Sequence, residues 1–256
     1  MSTAELSPRG AAETALGSDV PWLENGDRLN RREFERRYRA MPDLKKAELV
    51  EGTVYVMASP LSADLHGAPH SEINGWLLFY KAKTPGLRVC DNASIRLDET
   101  NEPQPDALLY IRPEHGGRVR LDPRGFIEQA PELVAEVSNT SASLDLHGKL
   151  RIYESHGVRE YIVWRARDRA IDWFVSREGR FERLGLGADG VCRSETFPGL
   201  WLDAGAMIEE DTGRVLEVLS QGLASPEHAQ FVQRLRDAAQ APQPRQPPNP
   251  ARETPR

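Results

Sequence analysis

Asp106, Glu136 and Lys149 are the residues of this chain whose types and settings could together do chemistry. Asp106 follows Pro105 directly and leads into ALLYI, an apolar run that reads as a strand. Glu136 stands inside LVAEVS, a buried-strand pattern, with Val134, Ala135 and Val137 around it. Successive side chains of a strand alternate faces, so Glu132, Val134, Glu136 and Ser138 point one way and Leu133, Ala135 and Val137 the other. A carboxylate in such company is desolvated, and it needs a cation or gives up its ionised form. Two carboxylates on neighbouring strands can hold a hard ion such as Mg²⁺, which keeps several waters. One of those waters can serve as nucleophile while a lysine balances the charge of a phosphate. The competing reading is structural: a strand-end carboxylate bonded to arginine or backbone, and Lys149 paired with Asp145 one helical turn away.

Other chemistries find less support. His66 and His70 are four apart, as a helical zinc pair would be, but HGAPH carries Gly67 and Pro69, which break a helix, and lacks the glutamate of HExxH. No G-x-S-x-G elbow and no GxxxxGK[ST] loop occurs. GLGADG (185–190) reads as a hairpin turn, and Tyr161, Trp164, Trp173 and Phe174 as packing residues of late strands. The basic runs RREFERRYR (31–39) and RARDR (165–169) are mixed with acid; they are solvated faces, or the basic rim of a cleft.

The elements that must position these residues lie in one patterned region, 27–208. LNRREFERRY reads as a charged helix. AELVEGTVYVMA reads as a hairpin turning at Glu51-Gly52, with the valines at 50, 54 and 56 on one face and Glu48 sharing it. HSEINGWLLFYKAK (70–83) is helical, with Ile73, Leu77 and Tyr80 on one stripe. LRVCDNASIRLD holds two short strands. SLDLHGKLRIYESHG (143–157) is a helix that stops at Gly157, and REYIVWRA and AIDWFVS are strands joined by a short turn. Helices interleaved with strands, followed by hairpins, make an α/β or α+β domain with a mixed sheet flanked by helices. Residues 1–26 read as a flexible lead-in, 209–240 as a C-terminal extension with a short amphipathic helix at 226–240, and 241–256 as an extended, proline-rich tail.

Composition sets the outer limits. The 256 residues carry a formal charge of −6, which argues against non-specific coating of nucleic acid while leaving room for a site with its own local charge. Two cysteines cannot build a disulfide scaffold or a cysteine zinc site. No apolar run approaches the roughly 20 residues that span a bilayer, and the N-terminus lacks the pattern of a signal peptide, so a cytoplasmic protein without membrane attachment is expected. The residue pattern carries no argument for self-association.

The strings PQPDALLYI and PELVAEVSNTSASLDLHGKLRIYESHGVREYIVW, with AELVEGTVYVMASP and His66 ahead of them, closely resemble the Uma2 family over about residues 35–205. That family is placed among the PD-(D/E)XK, restriction-endonuclease-like nucleases. The resemblance implies that Pro105-Asp106 is the PD element and Glu136 the acidic residue of the second half-motif, with Asp106 and Glu136 binding Mg²⁺, or Mn²⁺ in its place. The lysine usual two residues after the acid is absent, since Ser138 stands there. Lys149 matches the place where this family carries its lysine instead. Glu48 and His66 match family positions and Tyr153 follows Lys149 by one turn. All three are candidate supporting residues: Glu48 as a third carboxylate or a partner of the first helix, His66 at a helix cap or site edge, and Tyr153 as a lysine-orienting or core-edge group. The implied activity is Mg²⁺-dependent endonucleolytic hydrolysis of DNA; the alternative is a catalytically silent module that binds nucleic acid or a protein partner. Three expectations follow. The strands at 105 and 131 are neighbours, with Asp106 and Glu136 within about 10 Å at Cα. The Lys149 ammonium lies within about 6 Å of one of their carboxylates. Lys149→Ala leaves folding nearly intact, because an exposed i, i+4 pair is worth a few tenths of a kcal/mol.

Overall fold

The computed structural model describes residues 20–57 and 62–241. Most of the expected N-terminal lead-in and nearly all of the proline-rich tail lie outside the described residues. Helix α1 (Arg31–Arg39) starts at Asn30, whose side chain accepts from the Glu33 N–H, and it buries Phe34 alone. Strands β1 (Ala47–Val50) and β2 (Thr53–Val56) form the expected hairpin. Glu51 and Gly52 both have positive φ, 50° and 72°, the backbone of a two-residue turn that matches strand twist. The register pairs Leu49 with Val54 and Ala47 with Val56, while Glu48 pairs with Tyr55 and Val50 with Thr53. Directly paired residues share a face, so Val50 lies with Glu48, opposite Val54 and Val56. The three valines do not share a face, because a two-residue turn reverses the odd-even parity between its strands.

A π-helical turn, Ala63–Gly67, runs straight into α2 (Ala68–Lys83). Gly67 and Pro69 do not break this helix. Pro69 falls in the first turn of α2, where the missing N–H has no partner to lose. Ile73, Trp76, Leu77 and Tyr80 form its buried stripe. The chain continues through β3 (Leu87–Asp91), β4 (Ile95–Arg96), β5 (Ala107–Ile111), β6 (Arg120–Leu121), β7 (Ile127–Glu128) and β8 (Leu133–Ser138). A second π-helical turn, Leu144–Lys149, leads into α3 (Leu150–Ser155), which Gly157 ends at φ +74°. Then come β9 (Glu160–Arg165), β10 (Ala170–Arg177), β11 (Arg180–Arg183), β12 (Val191–Arg193) and β13 (Trp201–Asp203). Helices α4 (Ala204–Ile208), α5 (Thr212–Leu223) and α6 (Pro226–Gln240) follow.

Six strands make the main sheet, in the order β11-β10-β9-β8-β5-β3. The β8–β9 pair is parallel and bridged by α3; the other four pairs are antiparallel. This is the expected mixed sheet, and the strands at 105 and 131 are neighbours. One sheet face packs Ala107, Leu109, Ala135 and Ile162 against α2, α5 and α6. The other packs Leu108, Val134, Tyr161 and Val163 against Ile152 and Tyr153 of α3 and Val50 of the hairpin. Helix α5 was not expected, and α6, expected at 226–240, forms as read and buries Phe231 and Leu235 in the first of these clusters. GLGADG is not a hairpin turn, because β11 ends the main sheet whereas β12 pairs with β13. The segment instead links two sheets and contains a small turn in which Gly187 N–H donates to Val191 O at 3.0 Å.

The hairpin turn fixes the register that decides which face of β1 looks at the main sheet. Gly52→Val would force a β-branched residue into positive φ, and it is expected to cost about 1–2 kcal/mol. Thermal unfolding of the variant beside the parent chain measures this.

Candidate active site

The β5–β8 register pairs Ala107 with Ala135. One step further along, the same register sets Asp106 opposite Glu136, on strands about 4.8 Å apart. Both carboxylates stand on the face that α3 and the hairpin cover. The side chains of Lys46 and Glu48 arrive from above, because they share the β1 face of Val50, which packs into this side of the core. A π-helical turn at Leu144–Lys149 brings Asp145 and Lys149 in from the third direction. Gly148 lets that turn approach closely: a Cβ there would come within 3.1 Å of Leu144 Cδ1 and 3.5 Å of Val50 Cγ1.

These groups meet as one buried cluster. The Lys149 ammonium lies 2.8 Å from Glu136 Oε1, 2.8 Å from Glu48 Oε2 and 3.5 Å from Asp145 Oδ1. Tyr153 OH donates to the same Glu136 oxygen at 3.2 Å. Lys46 Nζ donates to Asp106 Oδ1 at 2.8 Å, and the Val137 N–H donates to Asp106 Oδ2 at 2.8 Å. Glu48 Oε1 accepts from the Gln104 N–H at 2.7 Å. Ser138, standing where a strand lysine would otherwise be, donates to Asp145 together with Ser141 and so anchors the π-helical turn. His66 lies at the edge, with Nε2 3.9 Å from Asp106 Oδ1 and Nδ1 3.3 Å from Val137 O. His70 stacks on it with ring centroids 5.5 Å apart and reaches Asp106 O at 3.1 Å and Asp91 Oδ1 at 2.9 Å.

The structure thus brings together every residue singled out from sequence: Asp106, Glu136, Lys149, Glu48, His66 and Tyr153. Glu48 pairs with Lys149 and not with α1. Sequence reasoning missed Lys46. Its signal was the two-residue step from Lys46 to Glu48, which puts both side chains on one strand face. The basic runs are largely paired: of their arginines only Arg32 and Arg167, both exposed, make no ion pair among the described residues, and Arg167 donates to Asn139 Oδ1. Arg31, Arg36, Arg37 and Arg39 of α1 pair with Glu33, Glu35 and Asp27. Arg165 pairs with Asp168 and Asp172, and Arg169 with Glu209.

Asp106, Glu48, Glu136 and Asp145 set four carboxylates against the ammonium groups of Lys46 and Lys149, a formal excess of two negative charges. Burial pushes the Glu136 carboxyl up; Lys149 opposes this, but Asp145, Glu48 and Asp106 add to it, and the group is pushed up to about 8. Burial works against the Lys149 ammonium, yet Glu136, Glu48 and Asp145 outweigh it and hold the pKa well above the ordinary lysine value. Asp106 is lowered: burial raises it, and the Lys46 charge and the hydrogen bonds from Lys46 and Val137 more than offset that. The cluster therefore keeps its lysines charged and holds a proton at Glu136 near neutral pH.

Among the described residues no three acidic, histidine or cysteine side chains form a ready-made metal cage, since the carboxylates close on lysines instead. The donor set nevertheless fits a hard, partly hydrated divalent cation. It consists of oxygens, it carries excess negative charge, and the buried Glu48 Oε2 and Asp145 Oδ1 meet the Lys149 ammonium and no other donor.

The model of the Uma2 family, described as "Putative restriction endonuclease", matches residues 31–205. The chain belongs to the Uma2 family. The Uma2 match takes in α1 through β13 and every residue of the cluster; α5 and α6 lie beyond it. A solved structure described as "a putative nuclease belonging to DUF820", from Anabaena variabilis, is 15% identical, with a TM-score of 0.45, over 68% of this chain and 97% of that one. No functionally curated protein matches the chain. No helix among the described residues is long and apolar enough to cross a membrane.

Burial overturns one expectation drawn from the i, i+4 spacing of Asp145 and Lys149. Lys149 is 2% exposed, not part of a surface pair. Lys149→Ala would leave the carboxylates of Glu48 and Asp145 buried without their cation, and it is expected to cost about 3–5 kcal/mol in urea unfolding at neutral pH. A second prediction follows from Glu136, which binds its proton more tightly folded than unfolded. Between the ordinary 4.5 and about 8 the folded chain retains a proton that the unfolded chain has lost. The stability this group contributes is complete below that window and is lost as pH rises through it. Glu136→Gln keeps a neutral side chain at every pH, so its unfolding free energy should fall less than the parent's across that window. Denaturant titrations at several pH values read the difference.

Proposed function

We propose that this Uma2 protein is a Mg²⁺-dependent endonuclease that hydrolyses DNA phosphodiester bonds, with Mn²⁺ able to substitute. The observation that carries the reading is the opposition of Asp106 and Glu136 across neighbouring strands, with two lysines bonded to them. Asp106 and Glu136 would hold the divalent ion, which when bound supplies Lewis-acid activation of water and neutralises phosphate charge. Lys149 keeps Glu136 and Glu48 in place, and Tyr153 fixes the orientation of Glu136. Lys46 is the better-placed cation for the scissile phosphate, since its side chain is 19% exposed and that of Lys149 only 3%. A phosphate approaching the cluster would pass Lys46 and His66, both part-exposed, and would meet charge developing within reach of the Lys46 ammonium.

A second reading rests on the same closure. Every carboxylate of the cluster already has a lysine partner, an arrangement that also suits a nuclease fold without turnover that binds nucleic acid or a protein. Nicking of supercoiled plasmid separates the two. The full chain should nick with Mg²⁺ or Mn²⁺ and not in chelator. Asp106→Asn and Glu136→Gln should each lower the rate by about 10²–10³-fold, the usual effect of removing one transition-state-stabilising group. Lys46→Met should lower it while the fold is kept. Failure to cleave any DNA with either metal would favour the binding module.

A further inference from the structure

A cavity of about 300 Å³ opens beside the cluster on the same side of the sheet, with Arg88, Cys90, Asn92, Ser94, Tyr110 and Phe126 among its walls. Its floor is strand β3, the edge of the main sheet. The β3–β5 register pairs Cys90 with Leu108 and Arg88 with Tyr110. Continued one step past the strand's end, it sets Asn92 opposite Asp106. Arg88 and Cys90 therefore share the face of Asp106 and Glu136, while the Asn92 side chain, at φ 48°, turns to Asp91 and His70; the pocket begins one strand spacing, about 4.8 Å, from Asp106. Two contacts tie the two places together: the Asn92 N–H donates to Asp106 O, and the Gln104 side chain bridges to Asn92 O while its N–H holds Glu48.

The walls suit a flat, polar, heteroaromatic ring. Tyr110 and Phe126 supply aromatic surface, and Phe126 carries the Arg96 guanidinium 4.1 Å from its ring centroid. The Ser94 hydroxyl offers a donor and an acceptor for a ring edge, whereas the Asn92 amide N–H is spent on Asp91 Oδ1 at 2.7 Å. Arg88 is exposed at the rim and makes no ion pair with a carboxylate among the described residues, so its charge is available to a phosphate. The volume is at the lower end of the roughly 300–1,000 Å³ usual for ligand pockets. It has room for one base and none for a base pair.

Resting on the nuclease reading, we infer that this pocket receives a single unstacked base of the strand whose phosphate lies at Asp106 and Glu136. A base reaches such a pocket when it is unpaired or turned out of the helix, and leaving a duplex stack costs a few kcal/mol. The substrate class is then nucleic acid that is single-stranded or distorted at the cut. Intact duplex is the poorer substrate.

Cys90 makes the pocket measurable. It is part-exposed in the wall, whereas the chain's other cysteine, Cys192, is buried. Alkylation of Cys90 is followed by mass spectrometry on full-length Glu136→Gln protein, with a mixed-sequence single-stranded oligonucleotide, its duplex, or inorganic phosphate as probe. The single strand should slow alkylation about tenfold at ten times its dissociation constant, as simple competition requires, and the duplex and phosphate should not. In parallel, Ala93→Phe, which fills the cavity, should weaken single-strand binding severalfold in fluorescence anisotropy and leave duplex binding unchanged. Equal protection by duplex and single strand, or no protection together with unaltered binding by Ala93→Phe, overturns the inference. If the parent chain nicks plasmid while these results are negative, the base pocket is wrong and the nuclease reading stands. If single strand alone protects Cys90 while no DNA is cut, the pocket is right and turnover is wrong.

Discussion

The buried ammonium of Lys149 is the interaction on which the site depends. It draws together Glu48 from the hairpin, Glu136 from the centre of the sheet and Asp145 from the turn that carries it. Three carboxylates from separate elements would repel one another in a medium that screens poorly. With the lysine among them they become the contact that docks the hairpin and the α3 segment on one sheet face. Packing of this kind is a costly way to hold a fold together, since a well-fitted apolar core of the same volume is often as stable or more so. Its place at the centre of the domain accords with the proposed nuclease site.

The rest of the fold supplies rigidity around that point. Behind the sheet, α2 and the C-terminal helices cover an apolar face made of Ala107, Ala135 and Ile162. At the far end of the sheet a second buried carboxylate, Glu160, is satisfied differently: it accepts from Ser194 Oγ, the Thr196 N–H and Trp173 Nε1. No lysine or arginine pairs with it among the described residues. Glu160 ties the β12–β13 segment to the main sheet through neutral donors, whereas Glu136 has the Lys149 ammonium beside it at 2.8 Å.

Much of this was legible in the sequence. Alternation in LVAEVS gives the face of Glu136, the Pro105-Asp106 step gives the start of β5, and the Glu51-Gly52 pair gives the hairpin. The reach of Lys149 was also legible, though its burial was not, because burial is decided by what the hairpin sets on top of it. The register of that hairpin depends on the turn's parity, and misjudging it put Val50 with Val54 and Val56. The same parity would have exposed Lys46. Neither π-helical turn leaves a mark in local composition, since the wider hydrogen-bond ring is imposed by what the turn packs against. Helix α5 is a different case. Asp211 as cap and Val215, Val218, Leu219 and Gly222 as stripe are readable, yet the sequence reading ends its patterned region at 208.

The measurement that tests the central claim most directly is the anomalous-scattering map of a crystal of this protein soaked in Mn²⁺. The account predicts one Mn²⁺ peak ligated by the carboxylates of Asp106 and Glu136, with the Lys46 ammonium displaced from Asp106. Full lysine bridges at both carboxylates and no peak between them, at Mn²⁺ concentrations in the millimolar range typical of weak hard-ion sites, would contradict it.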